Sequence, residues 1–435
     1  MARSRSSTSR PPIGSPRRRR RRGPRSAPVL GLAAAALAAL AIAGCGSSGV
    51  ASSSDTSRVV TVYSSLPLQT PSPQRAQSIV NGEKLALHEA GGHVGRFRVA
   101  YISLDDANPA TGIWDPGLTS SNARTAAEDK TTIAYLGDWD SGATAVSLPI
   151  VNAASIAQIS PASTYMGLTD PRYAGKGEPD RYYPAGRRNF VRLMPGDSVQ
   201  AVAQLAYMQR AGAHRVYVLR DRDVFDAALG AILSAQARRS GLGVVASEDV
   251  TASAGDPVAL IKRIAGAGAD SVLYAGAPSP AAAKTLARVR AGVPALKLFL
   301  PYFDDQPDFL GALGSAQRGV YVTDPALPLR LYGAPAQRFS SDYRAAFGAV
   351  PDPYALYGFE AMRLALAAIR GAGRRGNDRP TVTARLLAVR DRSSLLGPYS
   401  VTATGDTTLR RYAGYVARGD TLAFDRILPT TSLSP

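Results

Sequence analysis

Short apolar runs alternate with helix-period segments along almost the whole chain, and this limits the available folds more than any single motif does. Arg58 to Tyr63, Phe97 to Leu104, Thr132 to Leu136 and Ser155 to Ile159 read as strands. Ile79 to Ala90, Asn122 to Lys130 and Ala143 to Ala153 read as the helices between and after them. In the first helix Ile79, Val80, Ala86, Leu87 and Ala90 share one face, and Gly91-Gly92 ends it. The alternation resumes with helices over Ser198 to Ala211, Phe225 to Ser240, Pro257 to Ala267 and Pro280 to Ala291. The strands interleaved with these are Arg215 to Leu219, Val244 to Ser247, Ser271 to Ala275 and Lys297 to Leu300. Repeated strand–helix–strand order gives parallel sheets with helices on both faces. The Pro-, Gly- and Arg-rich stretch from Asp170 to Arg188 separates the two runs. The expectation is an α/β protein of two doubly wound lobes, and 435 residues are enough for both.

The formal charge of +18 invites a nucleic-acid reading, but its location argues against one. Ten arginines and no acidic residue precede position 45, and Arg17 to Arg22 is an unbroken run. The remainder carries 41 basic against 33 acidic residues, spread along the chain rather than gathered into a patch. The arginines precede an apolar run, Ala27 to Ala43, which is short for a membrane span. Ile42-Ala43-Gly44-Cys45 follows, then Gly46-Ser47-Ser48-Gly49. A basic segment, an apolar segment and small residues in that order describe an export signal. Cys45, the chain's single cysteine, resembles the acylated cysteine of a bacterial lipobox. Residues 1–44 are thus expected to be a lipoprotein signal peptide and 45–57 a flexible Ser-rich tether. With one cysteine, no intramolecular disulfide can form, and the core must supply the stability.

The catalytic inventory is thin. Of three histidines, His93 and His214 each precede a strand, and His88 sits within a helix. Ligands of open α/β sheets bind beyond the carboxyl ends of strands, so the first two lie at the wrong edge. One cysteine and three scattered histidines give no chelating spacing, so no metal or other cofactor is expected. Lys284-Thr285 follows Ala283, where a phosphate loop needs glycine, and no G-x-S-x-G elbow is present. Gly266 and Gly268 read as a helix C-cap. No nucleophile–base pair is evident, and the chain is read as a non-enzyme.

The informative loops follow strands. Gly137-Asp138-Trp139-Asp140-Ser141-Gly142 leads from a strand into a helix, with Ser141 placed as its N-cap beside unpaired amides. Such a helix end suits a carboxylate. Ser160-Pro161-Ala162-Ser163-Thr164-Tyr165 lies beyond the next strand. In the second run the equivalent loops are Asp221 to Phe225, Gly276 to Pro280 and Pro301 to Asp305, which carry carboxylates and aromatics. A pocket with hydroxyls and amides on one wall and acids and aromatics on the other suits a zwitterion.

The order of these motifs resembles the substrate-binding proteins of branched-chain amino acid type ABC transporters, from about Val59 to Ile427. The resemblance rests on Ile79-Val80-Asn81-Gly82-Glu83-Lys84-Leu85-Ala86-Leu87 with Gly91-Gly92, Leu104-Asp105-Asp106, and Ala134-Tyr135-Leu136-Gly137 with Ser141-Gly142. It continues through Ile159-Ser160-Pro161-Ala162, Tyr354-Ala355-Leu356-Tyr357-Gly358, and Leu396-Gly397-Pro398-Tyr399 with Gly405-Asp406. It implies the type I periplasmic-binding-protein fold, two lobes joined by a three-crossing hinge. The expected crossings are Val191 to Met194, Gly319 to Thr323 and Leu396 to Tyr399. They assign 58–190 and 324–395 to lobe 1, and 191–323 and 396–430 to lobe 2.

The resemblance also implies ligand-carboxylate contacts from Ser141, Ala162, Ser163 and Thr164. Trp139, Phe225, Tyr302 and Asp304 complete the candidate site. Phe225 stands where amino-acid binders of the family carry a tyrosine, Ala277 or Pro278 stands near a second aromatic position, and Phe303 or Asp304 takes the acidic position that holds an ammonium. The implied role is that of a monomeric, exported and lipid-anchored protein delivering a small polar ligand to ABC permease and ATPase subunits. A ligand-sensing subunit for a membrane receptor or sensor kinase would share the same pocket and anchor.

Overall fold

The computed structural model describes residues 58–69, 74–110, 112–220, 224–249, 256–276, 279–302, 307–418 and 421–431. The first sheet is built from β1 (Val59–Leu66), β2 (His93–Val94), β3 (Phe97–Asp105), β4 (Thr132–Leu136), β5 (Ala157–Ser160) and β6 (Phe190–Arg192). Between these strands lie α1 (Gln74–Glu89), α2 (Pro116–Glu128) and α3 (Ser141–Ala153). The strand order is β2-β3-β1-β4-β5-β6, parallel except for the short β2. The chain then passes through α4 (Asp197–Arg210), β7 (Arg215–Arg220), α5 (Val224–Arg239), β8 (Gly243–Asp249), α6 (Pro257–Gly266) and β9 (Ser271–Ala275). It continues with α7 (Pro280–Gly292), β10 (Lys297–Leu300), α8 (Pro307–Ala312) and β11 (Val320–Asp324). It returns through α9 (Ala334–Phe347), α10 (Ala355–Ala372) and α11 (Arg379–Leu387), and ends with β12 (Tyr412–Arg418) and β13 (Thr421–Leu428). The second sheet has the order β13-β12-β11-β10-β9-β7-β8. Its last two strands pair antiparallel, a hairpin that the alternation had not revealed.

Local chemistry explains the helix boundaries. Asp115 before Pro116, Asp256 before Pro257 and Ser279 before Pro280 each accept an amide of the first turn, and the proline presets the first helical residue. Gly268, in the left-handed region, closes α6 by donating to Ala265 O. The strands β4 and β9 are buried along their whole length, as expected of parallel strands covered on both faces. Among the described residues no helix is long and apolar enough to cross a membrane.

The first lobe is completed only by distant chain. Phe359, Met362, Leu364 and Ile369 of α10 share a core with Val60, Val62, Ile79 and Ile133. Two motif glycines permit this: a Cβ at Gly82 would sit 2.1 Å from Ala355 O, and one at Gly358 2.2 Å from Ile79 O. Helices α1 and α10 therefore touch backbone to backbone. Arg379, at the start of α11, donates to Thr132 O, Asp129 O and Ala154 O at 2.8, 2.6 and 3.2 Å, fastening that helix to the same lobe.

The chain changes sheet after β6, after β11 and before β12. The third crossing differs from expectation. Leu396, Tyr399, Val401 and Leu409 are buried in the first lobe's core, where Arg392 bridges Tyr399 and Val401 bridges Thr407. The change of sheet comes at Arg410 and Arg411, not at Leu396 to Tyr399, because those apolar side chains find their partners in lobe 1. Tyrosine hydroxyls satisfy the backbone at the crossings: Tyr357 donates to Pro325 O and Tyr415 to Ala326 O, while Tyr332 accepts from Leu327 N.

Candidate functional site

Strands β4 and β5 lie side by side, with Leu136 opposite Ile159, so the loops that follow them leave the same sheet edge. Asp138, fully buried, pins the first loop. Tyr135 donates to one of its oxygens at 3.1 Å, and Ser147 and Gln158 donate to the other. Burial, and then the neighbouring charge of Asp106, hold its carboxyl well above the usual carboxylate range.

Asp140, not Ser141, is the N-cap of α3, and its side chain makes no capping bond. Ser141 is the first helical residue. Its Oγ accepts the amides of Thr164 and Tyr165 at 3.2 and 3.1 Å. That one hydroxyl ties the two loops into a single wall. Its hydrogen stays available to donate, beside the first-turn amides of Gly142 and Ala143, for which the helix has no acceptor.

The second loop is internally satisfied. Ser160 Oγ accepts the amides of Ala162 and Ser163 at 3.2 and 2.8 Å. Ser163 is fully buried, with its hydroxyl 2.6 Å from that of Thr144, so the fold turns it into the lobe rather than toward the crevice. Thr164 Oγ1 lies 3.3 Å from the Tyr302 hydroxyl, which also donates to Ala162 O at 3.4 Å. Tyr302 follows β10 of the second sheet, so here a second-lobe side chain meets the first-lobe loop. Asp197, at the start of α4, receives a hydrogen bond from Thr164 and donates its own amide to Thr164 O. Burial raises its carboxyl to about 6, against the opposing effect of the Thr164 hydrogen bond.

Trp139 is half-buried and its ring lies 5.1 Å from that of Tyr354. The Arg75 guanidinium sits 4.6 Å from the same Tyr354 ring, and Tyr354 donates to Asp324 at 3.0 Å. The structure thus gathers Trp139, Ser141, Ala162, Thr164 and Tyr302, and adds Arg75, Asp197 and Tyr354, which the motif reading had not assigned to the site. Tyr354 at least stood in a quoted motif; Arg75 lay ahead of the helix expected from Ile79 and gave no signal, and Asp197 stood only beside the helix expected from Ser198. Phe225 falls in the first turn of α5, its side chain outside the described part. Asp304, Phe303, Ala277, Pro278 and Cys45 also lie outside the described residues.

Among the described residues no group of His, Cys, Asp and Glu could hold a metal ion. What the wall offers is a set of donors for an anionic group, with a planar aromatic face beside it.

The family described as periplasmic binding protein matches residues 61–421. An amino acid binding protein of Pseudomonas aeruginosa is 25% identical over 328 residues, which span 75% of this chain and 81% of that protein. A leucine binding protein of Thermotoga maritima superposes with a TM-score of 0.67 at 19% identity, covering 85% of this chain and 98% of that one. A branched-chain amino acid transporter substrate binding protein of Streptococcus pneumoniae, solved with isoleucine, gives 0.68 at 18%, covering 85% and 100%. A solute binding protein of an ABC transporter from R. palustris, solved with benzoate, gives 0.66 at 18%, covering 85% and 96%.

Proposed function

Since the chain belongs to the periplasmic binding protein family, we propose that its mature part is the exported, lipid-anchored solute-binding subunit of an ABC importer. Its ligand is a small acid, either an amino acid of branched-chain type or a related carboxylate. The observation that carries this reading is Ser141, whose hydroxyl joins the two strand-end loops and presents its hydrogen beside the free amides of α3. Three donors at a positive helix end stabilise a carboxylate and are of little use to a neutral apolar solute. The Trp139 ring supplies a flat surface for the ligand's side chain. Thr164 serves differently: hydrogen-bonded to Asp197, it shapes the wall and meets the Tyr302 hydroxyl.

Calorimetry with leucine, isoleucine and benzoate tests this. At least one should bind, and Ser141→Ala should weaken that binding about tenfold or more, the worth of a hydrogen bond to a charged group. Ser141→Ala should also lower the unliganded protein's stability by roughly 1–3 kcal/mol, because two amides lose their acceptor. Ser141→Thr keeps a hydroxyl and should restore both. A loss of stability with affinity untouched would mean that Ser141 only braces the loops.

Anchoring has its own test. Labelling with a fatty acid should mark the wild type at Cys45 and leave Cys45→Ala unmarked. Equal labelling of both would exclude this cysteine as the attachment point.

A further inference from the structure

The second lobe has a cavity at the edge opposite the crevice. Strands β9, β10 and β11 are parallel, and their carboxyl ends face the crevice. Gly319 immediately precedes β11, so it marks the far edge. There a cavity of about 540 Å³ is lined by Arg290, Gly314, Ser315, Gln317, Arg318 and Gly319. No carboxylate lines it. Arg290, near the end of α7, reaches in beside Gly319, which holds a left-handed backbone conformation with φ of 72°. Nη2 donates to Arg318 O at 3.2 Å, but Nη1 is buried and has no partner. Neither Arg290 nor Arg318 pairs with a carboxylate among the described residues. Desolvation pulls the Arg290 pKa down, as it does for a cation withdrawn from water without a counter-ion.

We propose that this cavity is a phosphate-binding site, with Arg290 as the principal ligand and Arg318 and Ser315 as supporting donors. A guanidinium with an unused, buried N–H lacks an oxyanion acceptor, and a second guanidinium on the same rim favours a tetrahedral phosphate, monoester or diester, whose several oxygens can meet both. The cavity is larger than a bare phosphate ion needs, so it leaves room for the group to which the phosphate is esterified. The site stands independently of the crevice: its residues touch neither Ser141 nor its loops. The same chemistry is offered by a soluble phosphate monoester and by a phospholipid headgroup.

The probes are inorganic phosphate, glycerol 1-phosphate and vesicles of phosphatidylglycerol, with phosphatidylcholine vesicles for comparison, all at physiological ionic strength. Binding is read by calorimetry for the soluble probes and by co-sedimentation for the vesicles. Saturable binding of glycerol 1-phosphate, weakened about tenfold or more in Arg290→Gln, supports the site and makes the ligand a soluble ester. Binding to phosphatidylglycerol vesicles alone, lost in the same variant, supports it and makes the ligand a headgroup. Arg318 is exposed, so Arg318→Gln leaves the core untouched and should also weaken binding; it carries the test should Arg290→Gln fail to fold. Binding of no phosphate probe, or equal binding by wild type and both variants, overturns the proposal.

Discussion

Replacing Arg192 with methionine is expected to destabilise the protein by about 3–5 kcal/mol, the usual result of breaking a buried ion pair from one side. Arg192 is 0% exposed although it ends β6 at the first crossing. Its Nη1 donates to Ser163 O at 3.2 Å, and its Nη2 to Tyr165 O and Thr169 Oγ1, both at 2.9 Å. Its Nε lies 2.8 Å from Asp406 Oδ1, close enough for an ion pair although the N–H is not aimed along the line between them. Thr169 completes the ring by donating to the same carboxylate oxygen. The Arg192 amide donates to Gly405 O, and a Cβ on Gly405 would meet Phe190 O at 2.0 Å, so the segment around Asp406 is pressed directly onto the crossing. One side chain thus joins the candidate ligand loop, the hinge and the last part of the first lobe. Urea unfolding measures the loss, and amide exchange over residues 163–169 should accelerate beyond the global change. The double variant Arg192→Met with Asp406→Leu removes the orphaned charge and should regain part of the stability. A single variant within 1 kcal/mol of wild type would contradict the role assigned to this ion pair.

Stability should also fall as pH rises from about 4.5 to 8, with Glu83 as one of the main causes. Glu83 is fully buried in α1, and Tyr101 donates to it at 2.5 Å. Burial raises its carboxyl from 4.5 to about 8, against smaller opposing effects from the Tyr101 and Ser64 hydroxyls. Asp106 is raised in the same way, to about 7. The folded state therefore holds protons that the unfolded chain has already released. Stability is complete below the unfolded values and drains away as pH climbs through the folded ones. For Glu83 alone this difference is on the order of 5 kcal/mol. Glu83→Gln should remove one share of the slope and leave that of Asp106 and Asp138, and the variant should gain on wild type as pH rises from 5 to above 8. Unfolding free energies across that range provide the measurement; parallel curves would place the titrating group elsewhere.

These two residues mark where pattern reading stops. Strands β4, β9 and β10 were legible to the residue because each is a compact apolar run between helix ends and turn residues. Two helix starts were legible where Asp or Ser precedes proline, at Pro257 and Pro280, but at Pro116 the expected helix began six residues late, at Asn122. Arg192 gave a signal of its own, a lone charge between Phe190-Val191 and Leu193-Met194, but its partner stands more than 200 residues away, and linear spacing cannot supply it. Glu83 lay inside a quoted motif where the helical period makes it one more residue on a face; only the packing of Ser64 and Tyr101 shows that it is buried. At the crevice, Asp140 and Ser141 are both good caps, so the sequence could not choose between them, and the choice matters. As N-cap, Ser141 would serve its own helix; as first residue it serves the neighbouring loop. The hydroxyls of Ser163 and Thr164 looked alike in sequence, but adjacent residues of an irregular loop need not face the same way, and these two do not.

The backbone contact between α1 and α10 also sets an order in time. Gly82 packs on Ala355 and Gly358 on Ile79, contacts that span more than 270 residues, so α1 lacks its backbone contact with α10 until that distant helix has been made. The second sheet waits as well, because β12 and β13 pair with β11 only from the extreme end of the sequence. Neither lobe can close its core on a growing polypeptide, and contacts so distant in sequence make folding slow. A nascent chain built this way stays open through most of its synthesis, which is the condition in which a polypeptide can be threaded through a narrow channel before it folds.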